Sequence, residues 1–217
     1  MPGTTCEGAD TPIDQSSGPA MATTPVLHTD RLTLRPFRIA DAGRFVALAG
    51  DPAVARMTSD IPHPLHVWQC RRWLRQARGE VRFAIERDDE LIGGVGYFCH
   101  RHRVGELGFW LGRPYWGEGL ATEAARAVVR YAFTAGNLTA MTSANFIDNP
   151  ASAGILSKLA FATNGRMRTL SVARGHEVDG TTWELDRETA RQAYALPEFA
   201  SAEVGGWNRF LTRISGR

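Results

Sequence analysis

The stretch Glu106–Tyr131, ELGFWLGRPYWGEGLATEAARAVVRY, predicts a strand, a glycine-containing turn and a helix in direct succession. Leu107, Phe109 and Leu111 recur at every second position, which is the period of a β-strand. The segment 120–131 carries apolar residues at three- and four-residue spacing and charged residues on the opposite side, as an amphipathic helix does. We expect the rest of the chain to be arranged around this unit.

Between the predicted strand and helix lies the turn 115–122, Tyr-Trp-Gly-Glu-Gly-Leu-Ala-Thr. Gly117 and Gly119 tolerate positive φ and leave no side chain over the backbone. The amides of this turn lie at a helix N-terminus, where unpaired donors and the positive end of the helix dipole favour a phosphate. The turn therefore predicts an anion cradle; the alternative is a tight connection whose glycines serve only packing.

Two common phosphate-binding motifs do not match this turn. A Walker loop requires Gly-Lys-Ser or Gly-Lys-Thr after the glycines, and the sequence contains neither tripeptide. A dinucleotide fingerprint requires Gly or Ala at the position of Thr122 and an acidic residue about 20 residues later. No acidic residue lies between Glu123 and Asp148, so the cradle belongs to another class.

The strand, the turn Tyr-Trp-Gly-x-Gly-x-Ala-Thr-Glu-Ala and the helix resemble the acetyl-CoA signature of the GNAT family of N-acetyltransferases. The form is typical of the branch that acetylates the N-termini of ribosomal proteins. The general family motif begins with Arg or Gln, where this sequence has Trp116. A second block, 148–152 with 158–161, is similar to the family's Asn-x-x-Ser segment and its helix. The resemblance extends over about residues 28–190.

The resemblance implies an α/β protein with the GNAT fold, a mixed and mostly antiparallel sheet flanked by helices in a single domain. Alternating patterns predict strands at 31–37, 81–85, 91–98 and 138–146, and a terminal hairpin from 166–171 and 182–185. Spaced apolar residues predict one helix capped by Asp41 and ended by Gly50, and another from Val67. The segment 51–64, with three prolines, is predicted as loop.

We expect a disordered leader at residues 1–25, the acetyltransferase domain at 26–195 and a C-terminal tail at 196–217. The leader is rich in Gly, Pro, Thr and Ser and lacks a signal-peptide core, and Met21 is a second candidate start. In the tail, Trp207 and Phe210 could dock onto the domain or onto a second subunit. A monomer and a homodimer both stay open.

Composition argues against several other classes of protein. The chain has 217 residues, of which 43% are hydrophobic, enough for one domain with a substantial core. Its net charge of +2 argues against a protein built mainly for nucleic acid. Cys6, Cys70 and Cys99 are widely spaced, and no apolar run approaches the ~18 residues that span a bilayer. A reduced, cytoplasmic setting is expected, with no membrane or nucleic-acid partner.

The resemblance also implies roles for residues of the turn and of the second block. The backbone amide of Leu111 is expected near the acetyl carbonyl of acetyl-CoA. Because they lie beside the cradle, Trp110 and Trp116 could wall the pantetheine channel instead of joining the core, and Trp116 is a candidate for contact with the cofactor. Asn149 is expected to contact the pantetheine and, because Pro150 follows it, to cap a helix. The pyrophosphate is expected on the amides around Gly117, Gly119, Leu120, Ala121 and Thr122.

Moving an acetyl group from a thioester to an amine requires a neutral amine, a stabilised oxyanion and a proton for the leaving thiolate. Glu106 is the candidate base; the alternative is an edge-strand carboxylate in solvent. Ser152 is the candidate donor to CoA or to the departing sulfur. Many family members carry a tyrosine acid seven residues after the motif asparagine, where this sequence has Leu156. Protonation of the thiolate is thus left to Ser152 or to water.

Two clusters near the expected acceptor side have open interpretations. Arg71, Arg75 and Arg78 line the outer face of the second helix, either as a solvated surface or as a basic rim for a substrate. His100 and His102 lie in a basic turn between two strands, where they are either solvated or part of the acceptor site. The sequence does not choose between these interpretations.

The expected function is that of an acetyl-CoA-dependent N-acetyltransferase acting on a primary amine. The branch resemblance suggests the α-amine of a protein N-terminus. Acetyl-CoA is the expected co-substrate, and no metal is expected because the zinc-like spacing of His63, His66 and Cys70 lacks a fourth ligand. The competing interpretations are an acetyltransferase for a small-molecule amine and an acyl-CoA-binding module that has lost its chemistry.

Overall fold

The computed structural model describes residues 24–75, 80–100 and 103–196. No helix in these three ranges is long and apolar enough to cross a bilayer. The strands are β1 (Leu27–His28), β2 (Thr33–Pro36), β3 (Glu80–Arg87), β4 (Glu90–Cys99), β5 (Val104–Leu111), β6 (Ala140–Phe146), β7 (Ala162–Ser171) and β8 (His176–Asp186). The α-helices are α1 (Ala42–Ala49), α2 (Pro52–Ala55), α3 (Val67–Leu74), α4 (Leu120–Phe133), α5 (Pro150–Lys158) and α6 (Arg187–Tyr194).

The strands form one sheet in the order β1-β2-β3-β4-β5-β6-β8-β7. Every neighbouring pair is antiparallel except β5 and β6, which run parallel. A parallel pair needs a long crossover connection, and α4 supplies it. The expected mixed, mostly antiparallel sheet flanked by helices is confirmed.

Strands β5 and β6 separate soon after they begin. They pair only through Val104–Glu106 and Ala140–Thr142, although β5 continues to Leu111. Where they separate, the Ser143 hydroxyl donates to the Leu107 carbonyl at 2.9 Å. The far half of β5 therefore presents one backbone edge to the gap between the two strands.

Helices cover both faces of the sheet and bury two cores. On one face, α4, α5 and α6 pack over the larger core, which includes Phe83, Ile85 and Leu120. On the other face, α1 and α3 pack over a second core that includes Phe45 and Ala84. Because successive strand residues point to opposite faces, neighbouring residues of β3 belong to different cores.

A buried ion network fixes α1 to the sheet. Arg35 of β2 bonds both oxygens of Asp41 at 2.8 and 2.9 Å and Glu86 at 2.8 Å. Arg35 and Asp41 are only 6% and 8% exposed. Asp41 also accepts from the Arg38 amide at 2.7 Å, so its carboxylate does not cap α1 as the sequence predicted. Burial alone would raise the pKa of Asp41, but these hydrogen bonds hold it below its ordinary value.

Other local features also differ from the sequence predictions. The segment 51–64 contains α2, because Asp51 caps it by accepting from the Ala53 amide at 2.7 Å. The terminal hairpin is longer than predicted, and α6 follows it with Asp186 as its cap. The predictions that concern the leader up to residue 23, the tail from residue 197, and Cys6, Arg78, His102, Trp207 and Phe210 lie outside the described residues.

Candidate active site

The turn between β5 and α4 has an open backbone. Gly117 and Gly119 have φ of +82° and +78°. An added Cβ at Gly117 would meet no atom within 4 Å, and one at Gly119 would meet only the Arg31 guanidinium at 3.8 Å. Helix α4 begins at Leu120 without a side-chain cap, so the amides of its first turn have no partner within the helix. The turn is a shallow cradle of N–H donors at the positive end of a helix.

A cluster that the sequence analysis missed holds this turn in place. Glu123 accepts from the Thr29 hydroxyl at 2.6 Å and from the amide and guanidinium of Arg31 at 3.0 and 2.7 Å. Arg31 also donates to the Glu118 carbonyl at 3.0 Å, and Arg87 pairs with the Glu118 carboxylate at 2.6 Å. Burial alone would raise the pKa of Glu123, but the bonds from Thr29 and Arg31 lower it. The turn and the start of α4 are therefore tied to the β1–β2 connection and to the end of β3 by hydrogen bonds and ion pairs.

The backbone of Leu111 faces the gap between β5 and β6. In the β4–β5 ladder, Val104 accepts from the His100 amide at 2.8 Å and Gly112 donates to Ile92 at 2.9 Å. Antiparallel ladder bonds recur at every second residue, so the even-numbered residues of β5 bond to β4. The backbone N–H and C=O of Leu111, an odd-numbered residue, therefore point toward the gap.

Trp116 covers part of this gap. Its indole N–H donates to the Leu111 carbonyl at 2.7 Å, and the side chain stays 45% exposed rather than joining the core. The indole N–H therefore hydrogen-bonds to the Leu111 carbonyl, and the Leu111 amide is the backbone donor that faces the gap.

Asn149 caps α5 beside the same gap. Its side-chain oxygen accepts from the Ser152 amide at 3.1 Å, and Pro150 occupies the first turn of the helix. The Asn145 amide group donates to the Asn149 carbonyl at 3.3 Å and orders this corner. The capping role is thus present, whereas the contact with pantetheine stays a prediction. Leu156 is fully buried in the larger core and does not line the cavity.

Glu106 lies where β5 leaves β6. Its side chain is 54% exposed, and its Oε2 lies 2.9 Å from Nε2 of His100, where an ionised carboxylate accepts from the ring N–H. The His100 ring in turn makes an edge-to-face contact with Phe98 at 5.0 Å. On the same face of β5, Gly108 leaves open space, since an added Cβ would meet no atom within 4 Å. His100 therefore orients Glu106, which lies beside the open space over Gly108. We call this face of β5 the floor of the cavity.

One cavity of about 1390 Å³ contains all ten residues that the sequence predicts for the site. It is larger than a typical ligand pocket of about 300–1,000 Å³, so it has room for an acyl donor and an acceptor together. The bare glycines and the unpaired amides at one end fit a diphosphate. The ten residues are Glu106, Leu111, Trp116, Gly117, Gly119, Leu120, Ala121, Thr122, Asn149 and Ser152.

The other end of the cavity, which we call the acceptor half, is built of side chains. The rings of Phe37, Phe45, Trp73 and Trp110 pack with centroid distances from 4.8 to 5.8 Å. The Arg82 guanidinium lies 4.0 Å over the Trp73 ring. Phe37 follows β2, and the other residues come from α1, α3, β3 and β5, so only the fold brings them together.

The zinc-like spacing in the sequence does not form a ligand set. Nδ1 of His63 lies 2.9 Å from the Gly50 carbonyl, and His66 directly precedes α3. Cys70 is buried in the second core, and burial raises the pKa of its thiol to about 11. Among the residues that the structure describes, no three His, Cys, Asp or Glu side chains form a group that could hold a metal.

The match to known proteins agrees with this geometry. A sequence profile of the Acetyltransferase (GNAT) domain family matches residues 31–162, which include the signature strand, the turn, α4 and α5. The chain belongs to the GNAT acetyltransferase family. The family resemblance is thereby confirmed, and the protein is an N-acetyltransferase.

Three proteins illustrate what this chain is similar to, and two of them are named for different acceptors. The uncharacterized N-acetyltransferase YoaA of Bacillus subtilis is 31% identical over 170 residues, which cover 74% of this chain and 96% of YoaA. The ribosomal-protein-S5-alanine acetyltransferase of Vibrio fischeri has a TM-score of 0.64 at 20% identity, covering 76% of this chain and 97% of that chain. The spermidine N-acetyltransferase of Vibrio cholerae, solved with CoA and spermine, has a TM-score of 0.65 at 19% identity, covering 75% and 99%.

Proposed function

We propose that this acetyltransferase transfers the acetyl group of acetyl-CoA to the α-amine of a protein or peptide N-terminus. The observation that supports acetyl transfer, as opposed to binding alone, is the cavity that joins the amides of the glycine turn to the carboxylate of Glu106. A phosphate cradle and a base in one cavity are what N-acetylation by acetyl-CoA needs. A non-catalytic acyl-CoA-binding module would need the cradle alone.

The chemistry follows from the placement of the side chains and amides. Amides of the turn 117–122 bind the pyrophosphate, and Asn149 contacts the pantetheine. The amide of Leu111 donates to the acetyl carbonyl and stabilises the negative charge that develops on its oxygen during attack. Glu106, directly or through water, accepts a proton from the incoming ammonium. The C–N bond forms and the C–S bond breaks. The attacking nitrogen then loses its second proton to water, which passes a proton to the departing sulfur while Ser152 donates a hydrogen bond to that sulfur.

The proton balance favours an α-amine over a lysine side chain. An α-amine has a pKa near 7.7–8.0 and a lysine near 10.4, so the lysine needs about 3.5 kcal/mol more to become neutral at the same pH. The proposed base is one half-exposed carboxylate, and Leu156 leaves no tyrosine acid at the usual position. Such a site suits the amine that loses its proton more easily.

A polyamine is the second candidate acceptor, and Asp60 favours it. The Asp60 carboxylate lines the acceptor half, is exposed, and forms no ion pair or hydrogen bond within the described residues. A second carboxylate in the cavity could hold a second ammonium group. The similar protein from Vibrio cholerae is named for spermidine.

Three substrates at saturating acetyl-CoA test the acceptor, with CoA release as the readout. They are a lysine-free peptide with a free N-terminus, the same peptide blocked there and carrying one lysine, and spermidine. We expect kcat/KM to be about tenfold or more higher for the free N-terminus, because its amine is more easily neutralised. Preference for the lysine peptide or spermidine would reject the α-amine. Tight acetyl-CoA binding without turnover on any of the three would favour the binding module.

A further inference from the structure

Helix α3 has one face in the core, one on the cavity and one in solvent. Cys70 and Leu74, four residues apart, are buried in the second core. Gln69 and Trp73, also four residues apart, line the cavity. Four other residues recur at three- and four-residue spacing on the side away from the core, which we call the outer face of α3: Trp68, Arg71, Arg72 and Arg75. The outer face therefore begins where the wall of the acceptor half ends.

The outer face carries positive charge that the described structure leaves uncompensated. The side chains of Arg71, Arg72 and Arg75 are exposed and form no ion pair or hydrogen bond within the described residues. Residues 61–79 of the sequence contain no Asp or Glu, so no neighbouring position in the chain offers these arginines a partner. Like charges at this spacing on a helix repel one another, and an anionic partner relieves the repulsion.

Trp68 distinguishes this face from an ordinary solvated helix surface. It lies among the three arginines, and its side chain is 64% exposed. Tryptophan and arginine are the residue types enriched at protein interfaces, whereas lysine and glutamate are depleted there. The outer face has neither lysine nor glutamate. Its composition is therefore that of a binding surface.

Arg82 of β3 fixes the end of α3 beside the cavity. Its guanidinium donates to the carbonyls of Trp73 and Arg75 at 2.7 and 3.2 Å. Arg82 also pairs with Glu80 at 3.1 Å, so its own charge is compensated. The outer face therefore keeps a fixed position relative to the acceptor half.

The interior of the acceptor half and the outer face of α3 have opposite charge. Asp60 and Glu106 line the cavity as exposed carboxylates, whereas the outer face presents three guanidinium groups. A matching substrate has a cationic end for the interior and anionic groups further along. A peptide with a free N-terminus and acidic residues downstream has this order of charges. A polyamine is positive along its whole length and matches the interior alone.

The wall of the cavity leads from Glu106 to α3. Glu106 and Trp110 lie on one face of β5 at a separation of four residues, or about 13 Å. The ring centroids of Trp110 and Phe45 are 4.8 Å apart, and those of Phe45 and Trp73 are 5.0 Å apart. An extended peptide covers about 3.3 Å per residue. With its amine at Glu106, such a peptide reaches α3 with about its fifth to eighth residues.

We propose that the outer face of α3 binds an acidic segment of the acceptor, so that the enzyme favours N-termini followed by Asp or Glu at about the fifth to eighth positions. Arg71, Arg72 and Arg75 pair with the carboxylates, and the Trp68 ring packs against the aliphatic parts of the segment. These residues determine specificity and are not assigned a contact with the reacting amine. The inference rests on the proposed function because it names the charge of that same acceptor.

Three lysine-free peptides with a free N-terminus and the same first four residues test this preference. They differ only at the fifth to eighth positions, which are all Glu, all Gln or all Arg. At saturating acetyl-CoA and low salt we expect kcat/KM for the Glu peptide to be about tenfold higher than for the Gln peptide, through a lower KM, and lowest for the Arg peptide. In about 0.5 M NaCl the ratio of Glu to Gln peptide should approach one, because salt screens exposed charges.

Paired variants assign the preference to the outer face. In Arg72→Gln/Arg75→Gln the ratio of Glu to Gln peptide should fall to about twofold, and in Arg72→Glu/Arg75→Glu the Arg peptide should become the best of the three. Acetyl-CoA affinity should not change. The control Arg130→Gln/Arg166→Gln makes the same change in net charge at two exposed arginines that do not line the cavity, and its ratio should equal that of the wild type. An unchanged ratio in the folded Arg72/Arg75 variants, or an equal fall in the control, would overturn the proposal.

A binding assay separates this proposal from the proposed function. The Glu and Gln peptides, acetylated at the N-terminus and labelled at the C-terminus, are titrated with the protein by fluorescence anisotropy. We expect the Glu peptide to bind about tenfold more tightly. The same preference without turnover of any free peptide would reject the α-amine acceptor and keep the outer face as a docking site for an acidic segment. Equal binding of the two peptides would overturn the docking site, as would tighter binding of an oligouridylate of equal charge, which would assign the face to nucleic acid.

Discussion

The two halves of the cavity are built from different materials. The donor half consists of backbone: two glycines at positive φ, the amides that begin α4 and the amide of Leu111. The acceptor half consists of side chains, including the rings of Phe45 and Trp110 and the carboxylate of Glu106. Backbone conformation restricts residue type at a few neighbouring positions, whereas a side-chain wall draws on segments from the whole chain. This difference explains why the donor is far easier to infer from sequence than the acceptor.

Glu106→Gln should cause the largest loss of acetyl transfer. The amide keeps the size of the side chain but cannot accept the proton of the ammonium. We expect kcat/KM to fall about 10²–10⁴-fold with acetyl-CoA affinity unchanged. Stopped assays of CoA release, together with calorimetric titration of acetyl-CoA, measure both quantities.

Glu184→Gln is the matched control for that variant. Glu184 is an exposed carboxylate on β8 of the same sheet, bonded to the Asn164 side chain at 3.0 Å and absent from the cavity lining. The turnover of Glu184→Gln should equal that of the wild type. Full turnover by Glu106→Gln would remove Glu106 as the base and return it to the role of a solvent-facing carboxylate.

Asp41→Ala should damage the scaffold of the acceptor half. Asp41 holds Arg35 under α1, the helix that carries Phe45, and removing it leaves the buried guanidinium with the Glu86 carboxylate and the Pro36 carbonyl. We expect the free energy of unfolding to fall by about 3 kcal/mol, measured by urea denaturation. Glu90→Ala breaks the exposed Arg44–Glu90 pair of the same helix and should cost less than about 1 kcal/mol.

The pH dependence of that difference follows from the lowered pKa of Asp41. The folded state binds the proton of Asp41 less tightly than the unfolded state does. The stabilisation is therefore complete above the unfolded pKa of about 3.9 and is lost as the pH falls through the folded value. The difference in the free energy of unfolding between wild type and Asp41→Ala should stay constant near neutral pH and decrease below about pH 4. A difference that increased in acid would contradict a lowered pKa of Asp41 in the folded protein.

The sequence predicted the signature strand, the glycine turn and α4, and it named ten candidate site residues that all line one cavity, because each belongs to a local pattern. It did not predict the bond from the Arg31 amide to Glu123 or the bond from the Arg174 guanidinium to the Arg56 carbonyl, whose partners are 92 and 118 positions apart. Helix α6 was missed because it is mostly polar and buries only Ala190 and Tyr194.

Gly119→Val should affect the donor half alone. At φ of +78° a β-branched residue is strained, and its side chain would cover the amides of the cradle. We expect acetyl-CoA to bind about 10- to 100-fold more weakly, consistent with a backbone cost of about 1–3 kcal/mol. Circular dichroism should show a folded protein, since the position is exposed. Unaltered affinity in a calorimetric titration would remove the cradle from the donor site.

Gly108→Val should have the smallest effect on activity, and this effect should concern the acceptor half. Gly108 lies in β5 between Glu106 and Trp110 on one face, where an added Cβ meets no atom within 4 Å. Valine suits a strand better than glycine does, so the free energy of unfolding should stay equal or rise. Its methyl groups would fill space over the floor of the acceptor half, which the amine needs to reach Glu106.

We therefore expect Gly108→Val to raise the KM for the amine about three- to tenfold, or about 1 kcal/mol, with acetyl-CoA affinity unchanged. Initial rates at saturating acetyl-CoA, over a range of amine concentrations, measure this. Together with Gly119→Val, the same glycine-to-valine change would then act on KM for the amine at one end of the cavity and on donor affinity at the other. A parallel loss of acetyl-CoA affinity in Gly108→Val would mean that the halves are not separate. An unchanged KM for the amine would place the acceptor away from this floor.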